Sequence, residues 1–480
     1  MSDPTARELL ADLSARRVSA RELLDAAAAR AEATAALGAV VAVDLDRARE
    51  AAAAIDQARA SGAELGPLAG LPVTIKDAYD VTGLPAVAGN PELVGRDPAT
   101  PDADLVATLR AAGAIPWAKT NTPFMCADVQ SFNDVYGTTR NPYDPERTSG
   151  GSSGGAAVAL ATGVTSLEVG SDIGGSLRVP AGNCGVLALK PTWGRLSLRG
   201  HVPPMPGTPH TADDDLGVGG PMARNAGDLR LLWELLAGRT TAPTPASGLR
   251  VALWLDEPVL PLAAEVHAIL EAAADALRGQ GVTVEIAAPP VDVDELMDTY
   301  FALLFPITAA GFPERLRDRL EAARPAALAA VAAGASRYRR DAATVYFTND
   351  EDVIVAARGR RARMQRAVGA WFERYDAVLA PITAVPAIPH TQEGSLPTRS
   401  IDVDGTSLPY SHLFDRIALA TALHLPALAA PAGQTAAGLP VGAQLIAPID
   451  REDRLLDLAD ALEQAIGPLP APPGWSRTVR

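Results

Sequence analysis

Two serines stand out for what precedes them. Ser152 lies in Gly150-Gly151-Ser152-Ser153-Gly154-Gly155, and Ser176 closes Gly170-Ser171-Asp172-Ile173-Gly174-Gly175-Ser176, twenty-four positions further on. Glycine is costly inside regular structure and is kept where backbone bends sharply or comes close to a ligand. A serine after such a turn can present its hydroxyl while the preceding N–H groups converge on one point. That geometry suits a nucleophile beside an oxyanion hole. Other readings of the runs are weaker. Flexible Gly/Ser linkers do not run straight into apolar segments, as these do at Ala156 to Ala161 and Val164 to Val169. A phosphate loop needs a lysine after its last glycine, and none follows Gly155 or Gly175. Gly150 to Gly154 formally fits the G-x-S-x-G nucleophile elbow, but that motif must follow a strand directly. The Pro-rich, polar stretch Asn141 to Thr148 ahead of it reads as loop.

The run TSGGSSGGAAVALATGVTSLEVGSDIGGSLRVPAGNCGVLALKPTWGR, Thr148 to Arg195, resembles the amidase signature family. The likeness extends upstream through LPVTIKDAYDVTG (Leu71 to Gly83) and NDVYGTTRNPYDP (Asn133 to Pro145), and downstream through GPMARNAGDL (Gly220 to Leu229) and LPVGAQLIAP (Leu439 to Pro448). The resemblance implies a Ser–Ser–Lys triad. Ser176 falls on the nucleophile, Ser152 on the bridging serine usually held by a cis peptide, and Lys76 on the base. The backbone N–H groups of Ile173, Gly174, Gly175 and Ser176 fall on the oxyanion hole. Ser171 stands where many members have threonine, which keeps the hydroxyl.

The chemistry is sensible in its own terms. A serine hydroxyl is a weak nucleophile and needs a base. A lysine serves as base only when neutral, so burial or nearby positive charge must lower its pKa. A lone lysine after a strand is ordinarily a surface charge. Here Leu71-Pro72-Val73-Thr74-Ile75 has the β-branched, apolar character of a buried strand, which would carry Lys76 into an interior site. Ser152 would relay a proton from Ser176 to Lys76 and return it to the leaving amine. Histidine offers a rival triad, with His412 and His424 the late-lying candidates among six histidines. His424 sits in an apolar run and reads as a core or pocket-wall residue. His412 sits in a mixed segment with no strand or elbow signal, and no histidine shows a recognisable acid and serine pattern.

Composition narrows the classes further. A chain of 480 residues buries a large core, and 48% hydrophobic residues with a mean hydropathy of +0.08 fit a globular rather than a disordered protein. A net charge of −15, from 42 basic and 57 acidic residues, disfavours a nucleic-acid-binding surface, and no polybasic membrane patch is present. Cys126 and Cys184 are the only cysteines, which gives no disulfide framework and no zinc site by themselves. Cys184, inside the resembling stretch, reads as a small buried residue. Met1 to Thr5 has no signal-peptide pattern and no run is long and apolar enough to span a bilayer, so a cytoplasmic protein is expected.

The elements that must position these residues alternate along the chain. Asp3 with Pro4 reads as the cap of a first helix. Ser19 and Glu22 form a capping box for a second, alanine-rich one, with Val18 and Leu23 as its staple and Gly38 as its end. A short buried strand is expected at 39–43, a helix over 44–60, a strand near 72–75, a helix near 103–112 and a strand near 115–118. Ala242 to Gly248 is the clearest linker. A strand over 249–255, a helix over 262–277, strands at 376–381 and 439–446 and a closing helix over 451–466 follow. The expected fold is α/β: a single large layered domain spanning 1–480, with a central mixed β-sheet flanked by helices, the fold the resemblance implies. Its signature core covers about 70–230. A helix-rich region at 300–346 covers the acyl pocket in similar proteins and is expected to set specificity.

The expected function is a serine hydrolase that cleaves amide C–N bonds through an acyl-enzyme on Ser176, with no metal and no organic cofactor. Aryl amides, carbamates (a urethanase activity) and esters pass through a similar oxyanion and are not distinguished. The expected partner is a small-molecule amide, carbamate or ester, with no nucleic acid and no membrane; the oligomeric state is open. The resemblance also implies an alternative, the catalytic subunit of a tRNA-dependent amidotransferase, which passes ammonia from glutamine to a partner protein. Those subunits typically carry Ser-Leu-Asp-Gln before the Gly-Pro, where this chain has Asp215-Leu216-Gly217-Val218.

Overall fold

The computed structural model describes residues 4–97, 101–202, 215–310, 312 and 314–474. One eleven-stranded sheet runs through the chain. Across it lie Val40–Val43, Ile115–Thr120, Pro72–Lys76, Leu167–Asp172, Val218–Ala223, Leu187–Lys190, Ala427–Gln434, Pro440–Ile446, Ala377–Pro381, Arg250–Leu253 and Thr283–Ile286. Pro72–Lys76 pairs in parallel with both its neighbours, whereas Leu167–Asp172 and Val218–Ala223 are antiparallel. The sheet is therefore mixed, and the layered α/β domain expected from the sequence is what forms.

Every residue of Pro72–Lys76, Leu167–Asp172, Val218–Ala223 and Pro440–Ile446 is buried. Val73, Ile75 and Val169 join the apolar core from these strands, and the polar Thr74, Lys76, Glu168 and Asp172 are buried with them. The helix Gly154–Ala161 is also buried on every side, which its wholly apolar sequence permits. Complete burial of Val158 and Leu160 contributes about 1.5–3 kcal/mol each.

Several boundaries differ from the sequence reading. Asp3 lies outside the described residues; the first helix, Ala6–Ser14, is capped by Thr5 in a capping box with Glu8. The Ser19–Glu22 box does form, but its helix stops at Ala33, and Gly38 instead closes a short 3-10 turn, Ala35–Leu37. Val40–Val43 is not a buried strand: it is the sheet edge, paired only to Ile115–Thr120, with Val43 exposed. Residues 242–248 connect the helix Ala226–Ala237 to Arg250–Leu253, and the same sheet continues on both sides, so this linker divides no domains. The helix-rich region resolves into Val293–Ala309, Glu314–Ala332 and Arg340–Phe347.

Candidate active site

Lys76 is the last residue of its strand and is fully buried. Its Nζ donates to Ser152 Oγ at 2.6 Å and to Ser171 Oγ at 2.9 Å. Ser171 comes from the neighbouring strand, Leu167–Asp172, so two adjacent strands and one loop meet at the amine. Burial pulls the Lys76 ammonium below the ordinary lysine range, opposed by Cys126, Asp172 and Glu168 nearby. Part of that opposition is muted, because burial raises the Glu168 carboxyl to about 8. Lys76 is thus an interior amine with two hydroxyl partners, and the surface-charge reading of it fails.

Ser152 sits in a loop tied down on all sides. Ser149 Oγ donates to the Thr139 carbonyl, and the Thr148 hydroxyl receives the Gly150 N–H. Ser131 Oγ receives the Gly154 N–H at 3.1 Å. Gly150 has φ +83°, and a Cβ there would lie 2.6 Å from Pro180 Cα, so both conformation and space demand glycine. The Gly151–Ser152 peptide is cis, as the resemblance implies. No strand leads directly into this loop, which agrees with rejecting the elbow.

The Ser176 loop docks against the Ser152 loop through a hydrogen bond from Ser153 N–H to the Ser176 carbonyl, at 3.1 Å. Ser176 retains 5% of its surface. The loop is wrapped around Asp172. Asp172 Oδ1 receives the Gly175 N–H at 3.0 Å and Oδ2 receives the Leu177 N–H at 3.1 Å. Arg178 grips both carboxylate oxygens, Nη2 to Oδ1 at 2.8 Å and Nε to Oδ2 at 3.0 Å. Burial alone would raise Asp172, but Arg178, Lys190 and the Leu177 N–H together hold it at about 2. Arg178 is in turn held by Gln444 Oε1, Thr421 Oγ1 and the Ile417 carbonyl.

One expected oxyanion donor is therefore already engaged. Gly175 N–H points at Asp172, while among the described residues the N–H groups of Ile173, Gly174 and Ser176 meet no acceptor within the fold. Gly175 serves the turn instead: its φ is +88°, and a Cβ there would meet Val179 Cγ2 at 2.9 Å.

The histidines fall elsewhere. His424 Nε2 donates to the Asp215 carbonyl at 2.8 Å, faces Arg361 and stacks on Trp193 at 4.6 Å; burial takes it down to about 4. His412 does have an acid partner, Asp415 at 2.6 Å, but its ring packs on Tyr338 and no serine bond to it is found among the described residues. His210 lies outside the described residues. Cys184 is buried, with its thiol pushed up by burial and donating to the Ser149 carbonyl. Among the described residues, no group of three or more His, Cys, Asp or Glu is placed to hold a metal ion, and no helix is long and apolar enough to cross a membrane.

Sequence reasoning gave no role to Ser171 beyond its hydroxyl, and none to Arg178 or Ser153. A signal existed for Arg178: it is the one charge in the stretch between Asp172 and Lys190, and the structure buries every residue of Arg178–Cys184. A charge in such a place must be paired.

Comparison with known proteins identifies the family and the fold. The Amidase family model matches residues 22–456. A glutamyl-tRNA(Gln) amidotransferase subunit from Anaeromyxobacter sp. (strain K) is 33% identical over 505 aligned residues, covering 97% of each chain. Among solved structures, one described as an amidase superposes with a TM-score of 0.79 at 28% identity, covering 97% of this chain and 100% of the other. The native peptide amidase of Stenotrophomonas maltophilia gives 0.75 at 26% identity, covering 98% of each. The chain belongs to the amidase signature family.

Proposed function

We propose that this protein cleaves carboxamides through an acyl-enzyme on Ser176. The observation that carries the reading is the buried Lys76 amine, 2.6 Å from Ser152 Oγ, with burial favouring its neutral form. Neutral Lys76 takes a proton from Ser152, which takes the Ser176 proton as Ser176 Oγ attacks the carbonyl carbon. The oxyanion is received by backbone N–H groups of Ile173, Gly174 and Ser176. Ser152 then returns the proton to the amine nitrogen as the C–N bond breaks, and water releases the acid. The region 300–346 shapes the acyl side of the site, and the whole chain acts as one amidase domain with its signature core at about 70–230. No metal or organic cofactor enters these steps, and a cytoplasmic setting suits them.

For the substrate, the amidotransferase relative favours the subunit reading over a free-standing amidase, because it is 33% identical to this chain over nearly its full length, against 28% and 26% for the two amidases. In that setting the carboxamide is that of glutamine, and the released ammonia passes to a partner. This departs from the expectation of no nucleic acid, since the relative's own name includes a tRNA. A chain of net charge −15 leaves most contact with a polyanion to its partner. The Asp215 to Val218 segment, in place of Ser-Leu-Asp-Gln, weighs toward the small-molecule amidase, for which amides, carbamates and esters are the panel.

The test is labelling of the wild type and Ser176→Ala by a fluorophosphonate, followed by release of ammonia from glutamine and of aniline from anilides. Loss of label with turnover reduced by on the order of 10⁴ or more is expected for the variant. Retained turnover in a folded variant overturns the nucleophile assignment. Glutaminase activity that needs a copurifying protein supports the subunit reading; turnover of anilides by the isolated chain, with none of glutamine, rejects it.

A further inference from the structure

We infer that Tyr300 is a positioning residue for the oxyanion hole, orienting the Gly174 N–H through the carbonyl of Ile173. The inference rests on the proposed function, in that it assigns the oxyanion to this loop.

Tyr300 lies in the helix Val293–Ala309, outside the glycine-serine core, and is completely buried. Its hydroxyl donates to the Ile173 carbonyl oxygen at 3.1 Å. The Ile173 carbonyl and the Gly174 N–H belong to one peptide unit, which is planar and trans, so the two bonds point in opposite directions. Fixing the carbonyl toward Tyr300 therefore aims the Gly174 N–H away from the helix. A hydrogen bond to the carbonyl also polarises the unit and strengthens its N–H as a donor.

The neighbouring peptide is fixed from the other side. Gly175 N–H is committed to Asp172 Oδ1 at 3.0 Å, so the loop is clamped by a carboxylate within and a phenol without. The donor available between the clamps is Gly174. Little slack remains around it: a Cβ on Gly174 would lie 3.3 Å from Phe414 Cε1 and 3.7 Å from Tyr300 Oη. Burial pushes the Tyr300 phenol well above its ordinary range, so it remains an O–H donor throughout the working pH range. The ring is held by Phe301, its centroid 5.7 Å away. The helix-rich region thus reaches the reacting centre itself, as well as the acyl pocket.

Preorganised donors matter because they need no reorientation when charge develops. Tyr300→Phe removes the hydroxyl and keeps the ring. Without the phenol the peptide unit is free to rock, and kcat on an anilide should fall by about tenfold, less than the 10²–10³ typical of deleting a donor outright. KM should stay within about twofold, since the ground-state carbonyl gains least from the donor. The separating measurement is inhibition. A boronic acid that forms a tetrahedral adduct on Ser176 should weaken by the same factor as kcat/KM, while a non-covalent product acid should bind as before. A purely structural role would weaken both inhibitors or lower Tm instead. Wild-type kcat in Tyr300→Phe, or parallel loss of both inhibitors, overturns the inference. Should that variant not fold, Gly174→Ala crowds the same peptide unit against Phe414 and must show the same split; unchanged kcat there overturns it too. Fluorophosphonate labelling of the wild type is read alongside: its absence refutes the Ser176 assignment, whereas normal labelling with unaltered Tyr300→Phe kinetics refutes the positioning role alone.

Discussion

Replacing Arg178 by methionine should destabilise the protein by about 3–5 kcal/mol at pH 7, the usual cost of stripping one partner from a buried ion pair. The structure gives the reason. Asp172 and Arg178 are both 0% exposed at their side chains, and two hydrogen bonds of 2.8 and 3.0 Å join them. Asp172 is held from an ordinary 3.8 down to about 2, which is worth about 2 kcal/mol at neutral pH. For this depressed carboxyl the stabilisation is present above pH 3.8 and is lost as pH falls through about 2. In the variant the burial cost of Asp172 remains while its main compensation is gone, so its pKa moves above 3.8 and the sign inverts. An ionised, unpaired Asp172 then destabilises the fold at pH 7 and is relieved by protonation as the pH drops. The gap between wild type and variant should therefore narrow from pH 7 to pH 5. Urea unfolding followed by tryptophan fluorescence at the two pH values measures it, with unfolding rates as the substitute where refolding is incomplete. A gap below about 1 kcal/mol at pH 7, or one that widens on acidification, would refute the reasoning that this pair holds a buried charge.

Lys76→Ala should remove nearly all turnover, and the wild-type kcat/KM should rise with pH along a limb whose midpoint lies below 10.5, because burial favours the neutral amine. A limb that is abolished by His412→Ala or His424→Ala while Lys76→Ala retains activity assigns the base to histidine instead. Ser152→Ala should reduce kcat/KM more for an anilide than for the matching aryl ester, since a phenolate departs with little help and an amine must first be protonated. Equal losses on the two substrates would remove the proton-return step and leave Ser152 a role in activating Ser176 only.

Much of the fold is written locally in this chain. The capping box at Ser19 and Glu22, the helix at 44–60 and the apolar strand ahead of Lys76 form close to where residue types place them. These features depend on neighbours within a few positions, which a sequence states directly. The edge position of Val40–Val43 is different. Four apolar residues look alike whether a strand lies in the middle of a sheet or at its rim, and only the pairing order decides.

The site divides in the same way. The glycine spacing around Ser152 and Ser176 marks where backbone must turn tightly, because the demand for a missing Cβ, as at Gly150 and Gly175, is a property of the residue itself. What the sequence by itself supplied was the candidate groups, Lys76, Ser152 and Ser176. What the tertiary structure decided was their company: Lys76 with Ser171, Asp172 with Arg178, and Tyr300, 127 positions along the chain, on the Ile173 carbonyl. It also decided that Gly175 N–H donates to Asp172. A hydrogen bond between distant residues leaves no periodicity and no fixed spacing, since the two partners meet only after the sheet and its helices have packed, and that packing chooses which donors remain for chemistry.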